Sequence, residues 1–226
     1  MIAMISRKFG WMAIGLSIVL AGCSSTPTKD ETNATLSAAE TTLKNFRNDP
    51  ELTWFRENAP KAKAILVSPQ IWQAGFVVGG STGKAIVMAR DGGKTWVGPA
   101  FYRVSAGSLG LQAGAQTVEM VALVMTDKAM NSLMSSSFKL GGDLSYSVGP
   151  VGLGKGAPFN TDLVVYTRTK GLYGGINIDG TAITTSDDDN KVYYGKPVTP
   201  VDILIKKSVA DPGAGSLAKT LSGISP

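Results

Sequence analysis

Between Ala62 and Val148 the chain is built from short β-branched segments separated by glycine, and this pattern constrains the fold more than any other feature. Ala62–Val67, Gly75–Gly80, Lys84–Ala89, Trp96–Val104, Ser108–Ala115, Val118–Met125 and Leu144–Val148 read as strands, followed by Leu163–Thr167 and Leu172–Ile178. Ser68-Pro69 reads as a break, Ser81-Thr82-Gly83 as a connection and Asp91-Gly92-Gly93 as a turn. Glycines this close together permit bends and close backbone approach, so the expected sheet is curved or barrel-like. Helical spacing appears at three places. Leu36, Ala39, Leu43 and Phe46 give one apolar face over 33–48, stopped by Asp49-Pro50. A second short helix is expected around Leu52, Trp54 and Phe55, and a third follows the cap Thr126-Asp127. A last helix is expected over 200–208, and residues 211–226 read as a frayed tail. The fold class is therefore α+β: one β-rich domain with flanking helices.

The first 23 residues have a separate character. Arg7 and Lys8 are followed by an apolar run, Phe9 to Ala21, which ends in Leu20-Ala21-Gly22-Cys23. A basic start, a short apolar stretch and small residues at its end make a secretory signal, too short for a comfortable membrane span. The last four residues resemble a bacterial lipobox, which predicts cleavage before Cys23 and acylation, palmitate included, of Cys23 itself. Two or more acyl chains anchor a protein stably. Ser24 after the cysteine favours the outer membrane, with the domain facing the periplasm. The expected organisation is a signal peptide over 1–22, a lipidated tether over 23–32, a helical segment over 33–60, a domain over 61–207 and a flexible tail over 208–226.

Composition narrows the chemistry. Losing residues 1–22 would leave 204 residues and, with Arg7 and Lys8 gone, lower the net charge from +5 to +3. No run of like charges suits nucleic acid. Cys23 is the single cysteine and histidine is absent. Ser-His-Asp triads, Cys-His dyads and histidine zinc sites are thereby excluded. Gly79–Lys84 (GGSTGK) fails as a phosphate-binding loop, because Val78 and Ala85 stand where glycine and Ser/Thr are required. Asp187-Asp188-Asp189-Asn190 lacks the spacing of a calcium loop and reads as a solvated acidic loop. Asp91 with Glu119, or Asp143 with Asp162, are the carboxylate pairs a hydrolase would need, and nothing in the sequence joins them. The expectation is a non-enzymatic protein without cofactor or metal.

Several runs, in order, resemble the SYLF domain family: Gln73–Gly80 (QAGFVVGG), Gly83–Ala85, Arg90–Gly93, Trp96–Tyr102 (WVGPAFY), Ser108–Gln116 (SLGLQAGAQ), Phe138–Gly142, Val148–Gly152, Lys170–Gly175 and Tyr193–Val198. The resemblance covers about 61–207. It implies lipid binding, since eukaryotic members bind phosphoinositides and some bind actin, and it implies no catalytic residues. Gln73 stands where members often carry lysine, and Ala64 and Ser68 where they carry glycine and phenylalanine. The expected partner is a phospholipid membrane. Lys61, Lys63, Arg90, Lys94 and Arg103 are the candidate contacts to anionic headgroups, with Trp72 and Phe76 as apolar anchors. Trp96, Phe101 and Tyr102 are expected mainly in the core. The alternative is a structural envelope protein whose domain binds another protein or peptidoglycan.

Overall fold

The computed structural model describes residues 26–75, 78–92, 95–109, 114–151, 160–169, 172–173 and 178–224. Cys23, Phe76 and Lys94 lie outside them. Helix α1 (Lys29–Asn48) opens with a capping box. The Thr28 hydroxyl accepts from the Glu31 N–H at 3.2 Å, and the Glu31 carboxylate accepts from the Thr28 N–H at 3.2 Å. Leu36, Ala39, Leu43 and Phe46 are buried along one face of α1, as their spacing requires. Helix α2 (Thr53–Asn58) and a short 3₁₀ turn, Ala59–Lys61, follow.

Four long antiparallel strands come next: β1 (Ala64–Gly75), β2 (Val78–Asp91), β3 (Thr95–Leu109) and β4 (Gly114–Val124). Then come α3 (Asp127–Leu133), β5 (Ser137–Lys139), β6 (Tyr146–Val148), β7 (Leu163–Thr169), β8 (Leu172–Tyr173), β9 (Ala182–Thr185), α4 (Asp187–Tyr194), a π-helical turn at Val201–Ile205 and α5 (Gly215–Ser222). The sheet order is β5-β9-β3-β2-β1-β4-β7-β6, with β8 pairing β7. The sheet is strongly curled, a half-barrel within a single α+β domain.

Alternation along the central strands feeds two cores. Ala64, Leu66, Ala85, Val87, Tyr102, Met120 and Val165 point to one face, closed by α3, Leu140, Leu144 and the π-helical turn. Ile65, Val67, Ile86, Met88, Phe101, Val121 and Tyr166 point to the other, closed by α1, α2 and α5. With helices on one face and helix, turn and loop on the other, few sheet positions are left for polar side chains, so the central strands read as nearly continuous apolar runs. Every residue of both described cores lies between Leu36 and Ile224, so a chain beginning at residue 26 retains them whole.

Several segments differ from their sequence reading. Residues 29–32, expected in the tether, form the first turn of α1, capped by Thr28. Ser68-Pro69 is a bulge inside one continuous strand. The register of β1 shifts here against both β2 and β4, and a bulge tolerates the missing proline N–H. The Ser68 hydroxyl, fully buried, donates to the Lys84 carbonyl at 2.8 Å. Opposite the bulge, a Cβ on Gly83 would stand 2.4 Å from the Gln70 carbonyl oxygen, so only glycine fits. Ser81-Thr82-Gly83 therefore lies within β2 rather than between two strands. Gly75–Gly80 and Ser108–Ala115 are divided between neighbouring strands: β1 pairs with β2 out to Gly75 opposite Gly79, and β3 ends at Leu109 before β4 begins at Gly114. Residues 211–226, expected to fray, contain α5, whose Leu217 and Leu221 are buried against α1 together with Ile224.

A candidate membrane-facing site

The register sorts the sequence candidates into two groups at opposite ends of the sheet. Arg90 pairs with Trp96 near one end. Its guanidinium lies 4.3 Å from the Trp96 ring centroid and donates to the Ala62 carbonyl at 3.2 Å. Lys63, next to it, forms an ion pair with Asp127 at 2.8 Å, and Lys61 donates to the Asn58 side chain at 3.0 Å. Trp72 is near the other end, opposite Thr82. Eight residues of β2 separate Thr82 from Arg90, about 26 Å at the rise of a strand. Arg90, Lys61 and Lys63 thus cannot share a contact patch with Trp72.

Arg103 can. It is opposite Lys84, two residues along β2 from Thr82, or about 7 Å. The alternation that places Ile86 and Phe101 on the α1 face puts Lys84, Arg103, Thr82 and Trp72 on that same face. Trp72 is 58% exposed, the most exposed aromatic ring among the described residues, whereas Trp96, Phe101 and Tyr102 are buried. Burial pushes the Tyr102 phenol well above its usual range, and it remains a donor, to the Leu133 carbonyl at 2.6 Å.

Where α1 begins, it borders this face and leaves an open cleft of about 370 Å³, lined by Pro27, Glu31, Ala34, Thr35, Lys84 and Arg103. Lys84 is not among the candidate contacts that the sequence offers. In the structure Lys84 is the knot of the site. Its ammonium is 2.8 Å from the Asp189 carboxylate and 3.7 Å from that of Glu31, joining β2 to α4 and α1. Asp189, expected in a solvated acidic loop, is instead 1% exposed in the first turn of α4 and also accepts from the Ser186 hydroxyl at 2.6 Å. Acidic side chains suit a helix N-terminus, where the backbone dipole favours them. The next residue, Asn190, is fully buried. It accepts from the Phe101 N–H at 2.8 Å and donates to the Phe101 carbonyl at 3.2 Å, filling the place of a strand partner beyond β9. Asp189 being matched by Lys84, the cavity retains one carboxylate, Glu31, and one guanidinium, Arg103, which has no ion pair among the described residues.

The carboxylates a hydrolase would need are engaged separately. Glu119 is bound by Arg168 (Nε at 2.6 Å) and the Thr42 hydroxyl (2.8 Å), and Asp91 pairs with Lys207. Asp143 accepts from the Lys139 N–H at 2.8 Å. Burial alone would raise the Asp162 carboxyl, but hydrogen bonds from Thr126, the Ser145 N–H and hydroxyl, and Lys128 outweigh it and hold the group at about 2. Among the described residues no group of three or more acidic, histidine or cysteine side chains is placed to hold a metal ion. None of their helices is long and apolar enough to cross a membrane.

Comparison with known proteins gives one consistent result. Residues 105–224 match the family model described as Ysc84, Las17-binding protein actin regulator. Protein YSC84 of Saccharomyces cerevisiae is 27% identical over 168 residues, which is 71% of this chain and 36% of that protein. The SH3 domain-containing protein PJ696.02 of Schizosaccharomyces pombe is 29% identical over 66% of this chain and 36% of its own length. SH3 domain-containing YSC84-like protein 1 of Bos taurus is 27% identical over 70% of this chain and 48% of its own. The chain thus spans between a third and a half of the curated relatives it matches.

Proposed function

Because the chain belongs to the Ysc84 (SYLF) family, we propose that it is a non-enzymatic lipoprotein whose domain docks on phospholipid with the Trp72–Arg103 end of its sheet. The observation that carries this reading is the convergence of an exposed Trp72, Arg103 and the start of α1 on one face at one end of the fold. Tryptophan suits the membrane interface, and guanidinium binds phosphate in a planar, two-pronged geometry. The lipobox-like run ending at Cys23 supports the same orientation. Cys23 precedes Pro27 by four residues, which at full extension span about 14 Å. An acylated Cys23 would hold this end of the domain, rather than the Arg90 end, against the bilayer. In a bacterial outer membrane the domain would face the periplasm and support envelope integrity.

The direct test is co-sedimentation of residues 26–226 with vesicles of mixed phosphatidylethanolamine and phosphatidylglycerol. Changing Trp72 to Ala together with Arg103 to Gln should abolish most binding. Changing Lys61, Lys63 and Arg90 to Gln should leave it largely intact. The reverse pattern would move the docking face to the other end. No binding by the unaltered fragment would favour an envelope protein that recognises another protein or peptidoglycan. Replacing Cys23 with Ser should block lipid labelling of the full chain, and unchanged labelling would remove the anchor.

A further inference from the structure

The cleft beside the start of α1 carries charges of both signs. Its floor is Lys84 and Arg103 from β2 and β3, and its wall is Pro27, Glu31, Ala34 and Thr35. At about 370 Å³ it falls at the small end of the roughly 300–1,000 Å³ typical of small-molecule sites. Lys84 is already neutralised by Asp189 at 2.8 Å. What remains to meet a ligand is one cation, Arg103, and one anion, Glu31, held only by the longer 3.7 Å contact to the Lys84 it shares with Asp189. A purely anionic ligand would gain Arg103 but be placed against the Glu31 carboxylate. A ligand carrying both charges offers each of them an opposite partner in this open cleft.

We infer that this cavity binds a phosphoryl-ammonium zwitterion of the phosphoethanolamine type, its phosphoryl oxygens on Arg103 and its ammonium on Glu31. The guanidinium offers paired N–H donors to two phosphoryl oxygens, and Lys84 adds a further donor from the floor. Glu31 accepts from the Thr28 N–H and lies 3.7 Å from Lys84, which leaves lone pairs for a primary ammonium. Ala34 and Pro27 supply an apolar wall for the connecting carbons. A trimethylammonium has no N–H to donate and is wider, so it is disfavoured. Glycerol in place of the amine leaves Glu31 with only its 3.7 Å contact to a Lys84 that is shared with Asp189. This inference deepens the phospholipid reading and rests on it for the lipid source of the group, while the same chemistry occurs in free phosphoethanolamine.

The test uses the full chain in non-ionic detergent, titrated with phosphatidylethanolamine, phosphatidylcholine and phosphatidylglycerol of identical acyl chains and followed by native mass spectrometry. Soluble O-phosphoethanolamine is titrated in parallel by calorimetry. The unaltered chain should prefer phosphatidylethanolamine several-fold over the other two. Arg103→Gln, which removes a charge-assisted contact to a group all three lipids share, should weaken all three about tenfold. Glu31→Gln, which keeps a capping-box side chain, should bring phosphatidylethanolamine down to the level of the other two and leave those two no weaker. Unchanged melting temperatures would show that both variants are folded. Equal binding of the three lipids by the unaltered chain, or a Glu31→Gln variant that retains the preference, overturns the inference and leaves membrane docking standing. Binding of phosphoethanolamine alone, sensitive to both substitutions, upholds the cavity and removes its lipid source. Absence of both kinds of binding overturns the two readings together.

Discussion

Single residues set the tolerance of this fold at three places. Asp189 is the first. Asp189→Asn leaves the half-buried Lys84 ammonium with only the more distant Glu31 and should cost about 1–3 kcal/mol, read as a lower denaturant midpoint. Glu31→Gln, at an exposed and longer contact, should change stability by roughly 0.5 kcal/mol or less. Gly83 is the second. Its missing Cβ is what lets the bulged β1 backbone approach, so Gly83→Ala should cost at least about 1–3 kcal/mol through the forced shift of a carbonyl that cannot swing aside. Asp162 is the third. Its folded carboxyl, held at about 2, is below the unfolded value, so its contribution is complete above pH 4 and is lost as the pH falls from about 4 to 2. Discounting for the exposed Lys128 partner leaves a contribution of about 1 kcal/mol, and Asp162→Asn should remove that part of the acid dependence of the melting temperature.

At the level of elements, α5 makes the sharpest prediction. Ending the chain after Pro212 would uncover the part of the α1-side core that α5 helps to close, and would delete Leu217, Leu221 and Ile224, each worth up to about 1.5–3 kcal/mol when buried. The truncated protein should melt many degrees lower or accumulate insoluble, whereas a frayed tail could be removed at no cost. The sequence disguises α5 because its eight residues include Gly215, Ser216 and Ser222, poor helix formers, and only two leucines one turn apart. Packing against α1 supplies what propensity lacks. Helix α1 was legible from residue 33 on, through four apolar residues at helical spacing, whereas its first turn was hidden in a polar stretch that reads as tether until the Thr28–Glu31 capping box is seen. The central strands were legible in place but not in extent, because a bulge at Ser68-Pro69 and glycines inside β2 are indistinguishable from turns until the partner strand is known. The candidate cations could be named from sequence but not sorted. Only the register shows that Arg90 and Arg103 stand at opposite ends, and only the tertiary contact between β2 and α4 turns Lys84 and Asp189 from a failed phosphate loop and an acidic run into one ion pair.

The whole molecule is a curled sheet covered on both faces, and its two cores share the same strands. Neither face can open without exposing the other's backbone ladder, so the domain should unfold as one unit. Tryptophan fluorescence and far-ultraviolet dichroism should give coincident denaturant transitions, and two separated transitions would show that the cores are independent. The helical layer also fixes where the chain enters and leaves. Helix α1 starts at the cavity and ends near Gly223, whose position lies against the Arg47 guanidinium. Twenty residues of helix span about 30 Å. The described ends of the domain, residues 26 and 224, therefore stand about a helix length apart. A fluorescent protein or epitope joined behind α5 should accordingly leave the vesicle binding proposed for the Trp72–Arg103 end unchanged, which co-sedimentation of the tagged chain would check.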